Sequence, residues 1–289
     1  MGTSPKKLSI IGGGKVGRAF GRLWAENGYF AVCDVLDRSA ASAEQAAAFI
    51  GAGRAISDYA EMRPSDVWLL TVPDDTIAAA CAALAATGLL NAGSVVFHCS
   101  GASSAQLLEL AAARGAAVAS IHPIRSFARP EQVVREFAGT WCGAEGDRRA
   151  LDALSPAFAA IGARLVEIAS DKKVLYHAAA VFACNYLVTL QDVAQRAYIE
   201  AGIAPEVALS MLEPLVRETV DNVFKLGPAA ALTGPIARGD LGTVGRQQQA
   251  VSDWNQAYGK LYRELAERTA ELAAQRHNGK NTGKTMEKN

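Results

Sequence analysis

Three side chains suited to proton transfer or hydrogen bonding, Lys173, His177 and Asn185, lie in a segment otherwise rich in alanine, valine and leucine. On a helix Lys173 and His177 share one face, and Asn185 follows two turns later, about 80° round from His177. An imidazole exchanges protons near neutral pH, so His177 is the predicted general acid/base. Lys173 would polarise a substrate or act on the histidine through its charge, and Asn185 would bind substrate or cofactor. The alternative is that the histidine and the amide are hydrogen-bonded core groups and the lysine is a solvated helix end.

The elements that must position these groups begin with the glycine-rich stretch LSIIGGGKVGRAFG at residues 8–21. Its glycines have the G-x-G-x-x-G spacing of a dinucleotide site between a strand and a helix. The first glycine permits a tight turn, the second lets a pyrophosphate approach the backbone, and the third lets helix and strand pack closely. The helix N-terminus adds free N–H groups and a partial positive charge. The sequence predicts a cofactor site at Gly12, Gly13, Gly14, Lys15, Val16 and Gly17, with a purely structural glycine turn as the alternative.

The residues after the second predicted strand bear on the choice of cofactor. An acid at this place, such as Asp37, binds the ribose hydroxyls of NAD, whereas Arg38 and Ser39 suit the 2′-phosphate of NADP. We expect NADP, with NAD possible. A solvated surface charge is the alternative for Arg38.

Further candidates lie where later strands end, because sheets of this kind bind ligands beyond the carboxyl ends of their strands. Ser100 and Gly101 follow the fifth predicted strand and would bind substrate through a hydroxyl and backbone N–H groups, although a tight turn explains them equally well. Three residues at the end of the fourth strand are expected to border the cofactor: Val72, Pro73 and Asp74.

Two more residues are candidates for substrate binding. His122 lies in the loop SIHPIRSF after the sixth predicted strand, where a rigid His-Pro turn is the alternative. Arg238 lies in the turn-rich link GPAAALTGPIARGD and would bind an anionic substrate, or else pair with Asp240. His98, inside an apolar strand, is expected to be a packed core histidine.

The order of predicted elements indicates an α/β class: a Rossmann-type, doubly wound, mostly parallel sheet followed by an all-helical domain. Strands and helices alternate over residues 1–169, the predicted dinucleotide-binding domain. Residues 170–276 are expected to bind substrate and to dimerise, and helical periodicity there predicts helices over residues 172–201, 205–226 and 240–276. The polar segment 277–289 is expected to be a disordered tail.

Composition excludes several classes of function. The chain has 289 residues with 29 basic and 29 acidic side chains, so it lacks the basic excess of nucleic-acid-binding proteins. The uncharged stretch at residues 178–191, in the predicted helical region, is expected to be too short to span a membrane. Five cysteines without a C-x-x-C pair favour a reducing compartment, and we expect a cytoplasmic protein. No metal is expected, because His98, His122 and His177 lack the spacing of metal ligands.

The chain resembles a family of oxidoreductases that joins a Rossmann-like NAD(P)-binding domain to a helical domain of unknown function, DUF2520. The motifs that carry the resemblance cover nearly the whole chain except the tail: IGGGKVG at 11–17, TVPDDTI at 71–77, HCSGASS at 98–104, SIHPIRSF at 120–127, LYHAAAVFACNYL at 175–187 and ALTGPIARGD at 231–240. More distantly, the layout is similar to pyrroline-5-carboxylate reductases and β-hydroxyacid dehydrogenases. In the latter enzymes a lysine and an asparagine four residues apart assist catalysis, whereas here His177 is four residues after Lys173.

The resemblance implies a homodimer formed through the helical domain, and the balanced charge predicts no nucleic acid or membrane as partner. It also implies hydride transfer between NAD(P) and a C=O or C=N bond of a small, possibly anionic substrate. The alternative is a non-catalytic protein that binds the dinucleotide as a sensor or structural ligand.

Overall fold

The computed structural model describes residues 4–283 of the chain, and the side chains of residues 4–275. Its contacts divide the chain into two compact units, residues 1–183 and 184–289. The division falls within a long helical segment, after the domain boundary predicted at residue 169.

The first unit contains one eight-stranded sheet with the order β3-β2-β1-β4-β5-β6-β7-β8. The strands from β1 to β6 are parallel to one another, β7 is antiparallel to β6, and β8 is parallel to β7. The predicted Rossmann-type, mostly parallel sheet is therefore confirmed. The strands are β1 (Lys6–Ile11), β2 (Phe30–Leu36), β3 (Arg54–Ile56), β4 (Val67–Leu70), β5 (Val95–His98), β6 (Ala117–Pro123), β7 (Trp141–Gly146) and β8 (Arg164–Glu167).

Helices cover both faces of the sheet and bury two separate apolar cores. The buried strands β4 and β5 are apolar on both faces, as expected for parallel strands between helical layers. One core is rich in aromatic rings and includes Trp24, whose indole N–H donates to the Ala157 carbonyl at 2.8 Å. The helices of this layer structure are α1 (Lys15–Asn27), α2 (Ala40–Ile50), α3 (Ile77–Ala86), α4 (Glu109–Ala112), α5 (Pro130–Arg135) and α6 (Arg148–Ala160).

A long helical segment follows β8 and continues into the second unit. It comprises α7 (Lys173–Ala180), a π-helical turn at Val181–Asn185, and α8 (Tyr186–Glu200). Among the described residues, Ser170–Glu200 is the helical stretch long and apolar enough by composition to cross a membrane, and its most apolar window has no buried residue. Several apolar side chains of this segment are exposed, among them Val174, Leu175 and Val188.

The remaining described residues are helical, which confirms the expected all-helical region. Residues 240–276, expected as one helix, are instead α12 and α13, because the Asn255 side chain accepts hydrogen bonds from the N–H groups of Ala257 and Tyr258 and starts a new helix. The last helix enters the segment 277–289 that was expected to be disordered, and residues 284–289 of that segment lie outside the described residues. The helices are α9 (Pro205–Leu226), α10 (Pro228–Ala231), α11 (Pro235–Arg238), α12 (Leu241–Trp254) and α13 (Gln256–Gly283).

Candidate functional site

The glycine loop between β1 and α1 has a different steric requirement at each glycine. Gly12 has a φ of +101°, and a Cβ there would lie 2.7 Å from the carbonyl carbon of Thr71. A Cβ at Gly17 would lie 2.2 Å from the Gly12 carbonyl oxygen. A Cβ at Gly14 would have only the Thr71 oxygen, at 3.9 Å, as a neighbour, so the space before it is open. Because Gly14 is the N-cap of α1, this space faces N–H groups that have no partner within the helix.

The carboxylate of Asp37 holds the glycine loop against the end of β2. One of its oxygens accepts from the Gly13 N–H at 2.9 Å, and the other accepts from the Arg38 N–H at 2.7 Å. Ser39 caps α2, its hydroxyl accepting from the Ser42 N–H at 3.2 Å. The Arg38 side chain is exposed and has no ion pair within the described part of the chain. Asp37 is therefore bound to the protein backbone, while the guanidinium beside it remains available.

A cavity of about 740 Å³ opens in front of the glycine loop, at the carboxyl ends of β1, β2 and β4. Its lining contains six of the twelve residues predicted to contact cofactor, and also residues that sequence reasoning missed. The missed residues come from the segment after β3, from the turn before α3 and from α3 itself, and only Thr76 lies in one of the motifs named above. The lining includes Gly12, Gly14, Asp37, Arg38, Val72 and Pro73, together with the missed Ser57, Tyr59, Thr76, Ala79, Ala80 and Ala83.

Ser100 organises the loop that follows β5. Its hydroxyl donates to Asp74 Oδ2 at 2.6 Å and accepts from the Ser103 N–H at 2.9 Å. This hydroxyl already makes two hydrogen bonds within the protein, and its predicted role in substrate binding stays a prediction. The same bond ties Asp74, at the end of β4, to the loop after β5.

His98 is fully buried at the end of β5. Its Nε2 lies 3.1 Å from the Ser104 carbonyl, which can only accept, so Nε2 carries the ring proton. Its Nδ1 accepts from the Ser100 N–H at 3.1 Å and lies 3.2 Å from the Ser120 hydroxyl. Burial lowers the pKa of His98 to about 4, which keeps the ring neutral. His98 is thus a packed and hydrogen-bonded histidine.

Lys173, the first residue of α7, is buried with Glu145 of β7. The two side chains are 1% and 3% exposed, and Nζ lies 3.0 Å from Glu145 Oε1. Nζ also donates to the Ser120 hydroxyl. Burial lowers the pKa of Lys173, an effect that the carboxylate opposes. Lys173 is therefore a buried cation that attaches the helix to the sheet, and not a solvated helix end.

The Glu145 carboxylate joins three elements of the fold. Besides Lys173, it accepts from the Ser170 hydroxyl at 2.7 Å, at the start of the helical segment, and from the Ala105 N–H at 2.8 Å, just after the Ser100 loop. Sequence reasoning missed this residue. A glutamate within the otherwise small and apolar strand WCGAEG is the signal that could have identified it, since a buried acid needs partners.

His177 and His122 lie edge to face, with ring centroids 5.3 Å apart. Both rings pack on Gly101, where a Cβ would lie 2.2 Å from His177 Nδ1 and 2.8 Å from His122 Nε2. His177 Nδ1 is buried without a hydrogen-bond partner. The structure thus brings together three predicted site residues from α7, β6 and the loop after β5.

Tyr176, a residue that sequence reasoning also missed, packs beside them. Its hydroxyl lies 3.1 Å from His122 Nδ1 and covers Gly143 of β7, where a Cβ would be 2.4 Å from the phenol oxygen. Lys173, Tyr176 and His177 have the i, i+3, i+4 spacing of one helix face. We call this face of α7, with its contacts to Glu145, Gly143 and Gly101, the polar seat.

Two predicted site residues belong to the second unit. Asn185 is exposed at the end of the π-helical turn, and Arg238 is exposed at the end of α11. Asp240 caps α12 by accepting from the Thr243 N–H at 3.0 Å. The predicted roles of Asn185 and Arg238 stay predictions. Within the described residues, no three histidine, cysteine, aspartate or glutamate side chains are grouped as a metal site.

Comparison with known families confirms the resemblance expected from the motifs. Residues 3–123 match the Rossmann-like domain, and residues 140–269 match the domain of unknown function DUF2520. The chain therefore contains a Rossmann-like domain followed by a DUF2520 domain. No curated protein matches the chain.

Solved structures share this fold along almost the whole chain. Protein TM1727 from Thermotoga maritima is 28% identical with a TM-score of 0.76, and the match covers 93% of this chain and 99% of that one. BF3122 from Bacteroides fragilis, a candidate NADP oxidoreductase, is 21% identical with a TM-score of 0.73 over 93% and 99% of the two chains. Pyrroline carboxylate reductase from Plasmodium falciparum, solved with NADP bound, is 13% identical with a TM-score of 0.57 over 94% and 100%.

Proposed function

We propose that the protein is an NADP(H)-dependent oxidoreductase that transfers a hydride to or from a C=O or C=N bond of a small substrate. The open space before Gly14 carries this proposal, since a pyrophosphate placed there meets the N-terminus of α1 without meeting a side chain. The names of the structural relatives support the same cofactor and the same class of reaction.

The preference for NADP follows from the different states of Asp37 and Arg38. Both oxygens of the Asp37 carboxylate accept backbone N–H groups, so the carboxylate is already engaged beside the place where an NAD ribose would bind. The Arg38 guanidinium borders the same cavity and can form charge-assisted hydrogen bonds with a 2′-phosphate. The cofactor supplies the hydride, and the protein's own residues orient it and handle the proton.

The polar seat contains the groups suited to handle that proton. His177 is the proposed acid/base, and His122 is the proposed substrate ligand at the same edge of the sheet. Lys173 acts through position, because its ammonium is buried against Glu145 and Ser120. Arg238, in the second unit, stays the predicted ligand for an anionic substrate.

Titration with NADPH and NADH tests the cofactor assignment. We expect Arg38→Ala to raise the Kd for NADPH about 10- to 100-fold, the value of a charged hydrogen bond, and to leave the Kd for NADH nearly unchanged. Arg114→Ala, which removes an exposed arginine after α4, is the matched control. A protein that binds neither nucleotide would refute the proposal.

A screen for turnover separates a catalyst from a binding sensor. Imines, keto acids and hydroxy acids are incubated with the protein and NADPH or NADP⁺, and absorbance of the reduced nicotinamide is followed. For a substrate that turns over, His177→Ala is expected to lower kcat by about 100-fold or more. Silence across all substrate classes in a protein that binds NADPH would favour the sensor.

We further propose that the protein is a homodimer whose helical segment pairs with that of a second copy. Val174 and Leu175 are each 70% exposed and Val188 is 67% exposed, so the segment presents apolar side chains to its surroundings. Light scattering after gel filtration should give twice the mass of 30.3 kDa. A monomer that instead co-sediments with phosphatidylcholine vesicles would show that a membrane covers this surface.

We place the protein in the cytoplasm, which suits its five free thiols.

A further inference from the structure

His122 has two ring nitrogens in different surroundings. Nδ1 lies 3.1 Å from the Tyr176 hydroxyl, and the two rings meet at 90° with centroids 5.7 Å apart. Nε2 has no hydrogen-bond partner in the described part of the chain, and it points toward Gly101, beside His177. The location of the ring proton therefore decides whether His122 Nε2 donates a hydrogen bond to a ligand or accepts one from it.

The Tyr176 hydroxyl can occupy its position only because residue 143 is a glycine. The phenol oxygen occupies space over Gly143 that any Cβ would fill. Among the described residues, His122 Nδ1 is the hydrogen-bond partner of the phenol oxygen, at 3.1 Å, and no other acceptor lies within hydrogen-bond distance of it. Burial raises the pKa of Tyr176, so the hydroxyl keeps its proton at neutral pH. That proton has His122 Nδ1 as its acceptor.

An imidazole that accepts at Nδ1 and is neutral must carry its proton on Nε2. Burial, with the charges of His177 and Lys173 as smaller causes, lowers the pKa of His122 to about 4. The ring is neutral near pH 7 and has one proton to place. The hydrogen bond from the phenol excludes that proton from Nδ1.

We propose that Tyr176 is a positioning residue that fixes His122 as an Nε2–H hydrogen-bond donor toward the substrate. This inference rests on the proposed function and deepens it, because a neutral donor suits the lone pair of a carbonyl oxygen or a neutral imine nitrogen. A protonated iminium has no such lone pair at its nitrogen. His122 and Tyr176 thus favour carbonyl compounds and neutral imines over iminium cations as substrates.

Nuclear magnetic resonance of the protein labelled with ¹⁵N-histidine tests the proposal without a substrate. The ¹⁵N shifts of the two ring nitrogens report which one carries the proton, and His122→Ala identifies the signals. In the wild type we expect the Nε2–H tautomer to exceed the other by about fivefold or more, the bias that one hydrogen bond provides. A wild-type ring with its proton on Nδ1 would overturn the proposal.

The variant Tyr176→Phe removes only the hydroxyl, and the tautomer ratio of His122 should then fall about fivefold. Tyr29→Phe is the matched control, since Tyr29 packs against Phe30 and not against either site histidine. A tautomer ratio unchanged in a folded Tyr176→Phe protein would refute the role of the hydroxyl. If that variant does not fold, the wild-type spectrum alone decides. A wild-type protein that does not bind NADPH would refute the proposed function. The tautomer of His122 is measured without any nucleotide, so the two results are independent.

Discussion

The glycine loop and the polar seat both depend on glycines. In the loop the glycines make room for backbone and ligand, and in the seat they make room for side chains. In the loop, Gly12 and Gly17 let the backbone pack on itself, and Gly14 leaves space open for a ligand. In the polar seat, Gly101 and Gly143 make room for side chains of the protein's own helix. The loop leaves space for an outside molecule, whereas the two glycines of the seat are covered by the protein's own side chains.

This difference separates binding from positioning. A substitution at Gly14, in front of which the space is open, should affect ligand affinity with little effect on stability. A substitution in the seat should affect the fold and the placement of His177. The four predictions that follow test this separation, from the largest expected effect to the smallest.

The buried pair of the seat should show the largest effect. Lys173→Met leaves the Glu145 carboxylate buried without its cation and should lower the free energy of unfolding by about 3–5 kcal/mol. The double variant Glu145→Gln/Lys173→Met should recover most of this loss, because the neutral amide removes the unpaired charge while its oxygen can still accept from the Ala105 N–H. Urea denaturation measures both variants.

The exposed pair of Arg148 and Glu167 provides the control for this experiment. Arg148→Met should leave the unfolding midpoint almost unchanged, since solvent screens a pair of this kind. If Lys173→Met were as stable as Arg148→Met, the pair would not anchor α7.

Gly14 and Gly17 can be compared directly within the loop. Gly17→Ala places a methyl group 2.2 Å from the Gly12 carbonyl oxygen and should cost about 3 kcal/mol as well as NADPH binding. Gly14→Ala should cost at most about 1 kcal/mol, the range of changes at a helix N-cap, yet raise the Kd for NADPH about tenfold or more. Thermal unfolding and fluorescence titration separate the two effects. Equal stability losses in both variants would contradict the open site at Gly14.

Gly101 is the corresponding position in the seat. Gly101→Ala should cost about 2 kcal/mol, because the new methyl group collides with His177 Nδ1 and His122 Nε2. Adding His177→Ala removes the closer collision and should restore much of the stability, which a double-mutant cycle measures. If the two changes were simply additive, the ring of His177 would not lie on Gly101.

Protonation provides the smallest of the four effects. The pKa of His98 is lowered to about 4 by burial, below its ordinary value of 6.5. Between these pH values the unfolded chain binds a proton that the folded chain does not, so stability is lost as the pH falls through this window. We expect His98 to contribute of the order of 1–2 kcal/mol to the loss, and His122 to contribute in the same direction.

Denaturation of the wild type and of His98→Asn at pH 7 and pH 4.5 measures the His98 contribution. The variant should be less stable at pH 7 and less sensitive to acid. The same acid sensitivity in both proteins would mean that His98 is protonated without unfolding.

The fold was predictable from the sequence because its signals are local. The glycine spacing from Gly12 to Gly17 and the alternation of strands with helices can be recognised within short windows, and both indicated a Rossmann-type sheet. The break at Asn255 was missed because a capping side chain inside a periodic helical stretch resembles an ordinary polar surface residue.

The polar seat could be predicted only in part. Lys173 and His177 attracted attention through their helical spacing, but their partners are distant in sequence, from Gly101 to Glu145. Glycine gives no sign of which side chain will cover it, and the role of Glu145 depends on the antiparallel placement of β7, which no local pattern specifies. The role of Glu145 therefore follows from the pairing of β6 with β7 in the folded sheet, and it could not be predicted from the sequence.

The helix α7 has two faces, and they would link dimer formation to ligand binding near His177. The face with Lys173, Tyr176 and His177 is fixed to the sheet, while Val174 and Leu175 on the same turns are exposed. A second copy bound to the exposed face would restrain the turns that carry the histidine. By thermodynamic linkage, any ligand that favours the seated helix would then strengthen the dimer by the same factor by which the dimer strengthens ligand binding. Protein concentration would therefore act as an effector of ligand affinity.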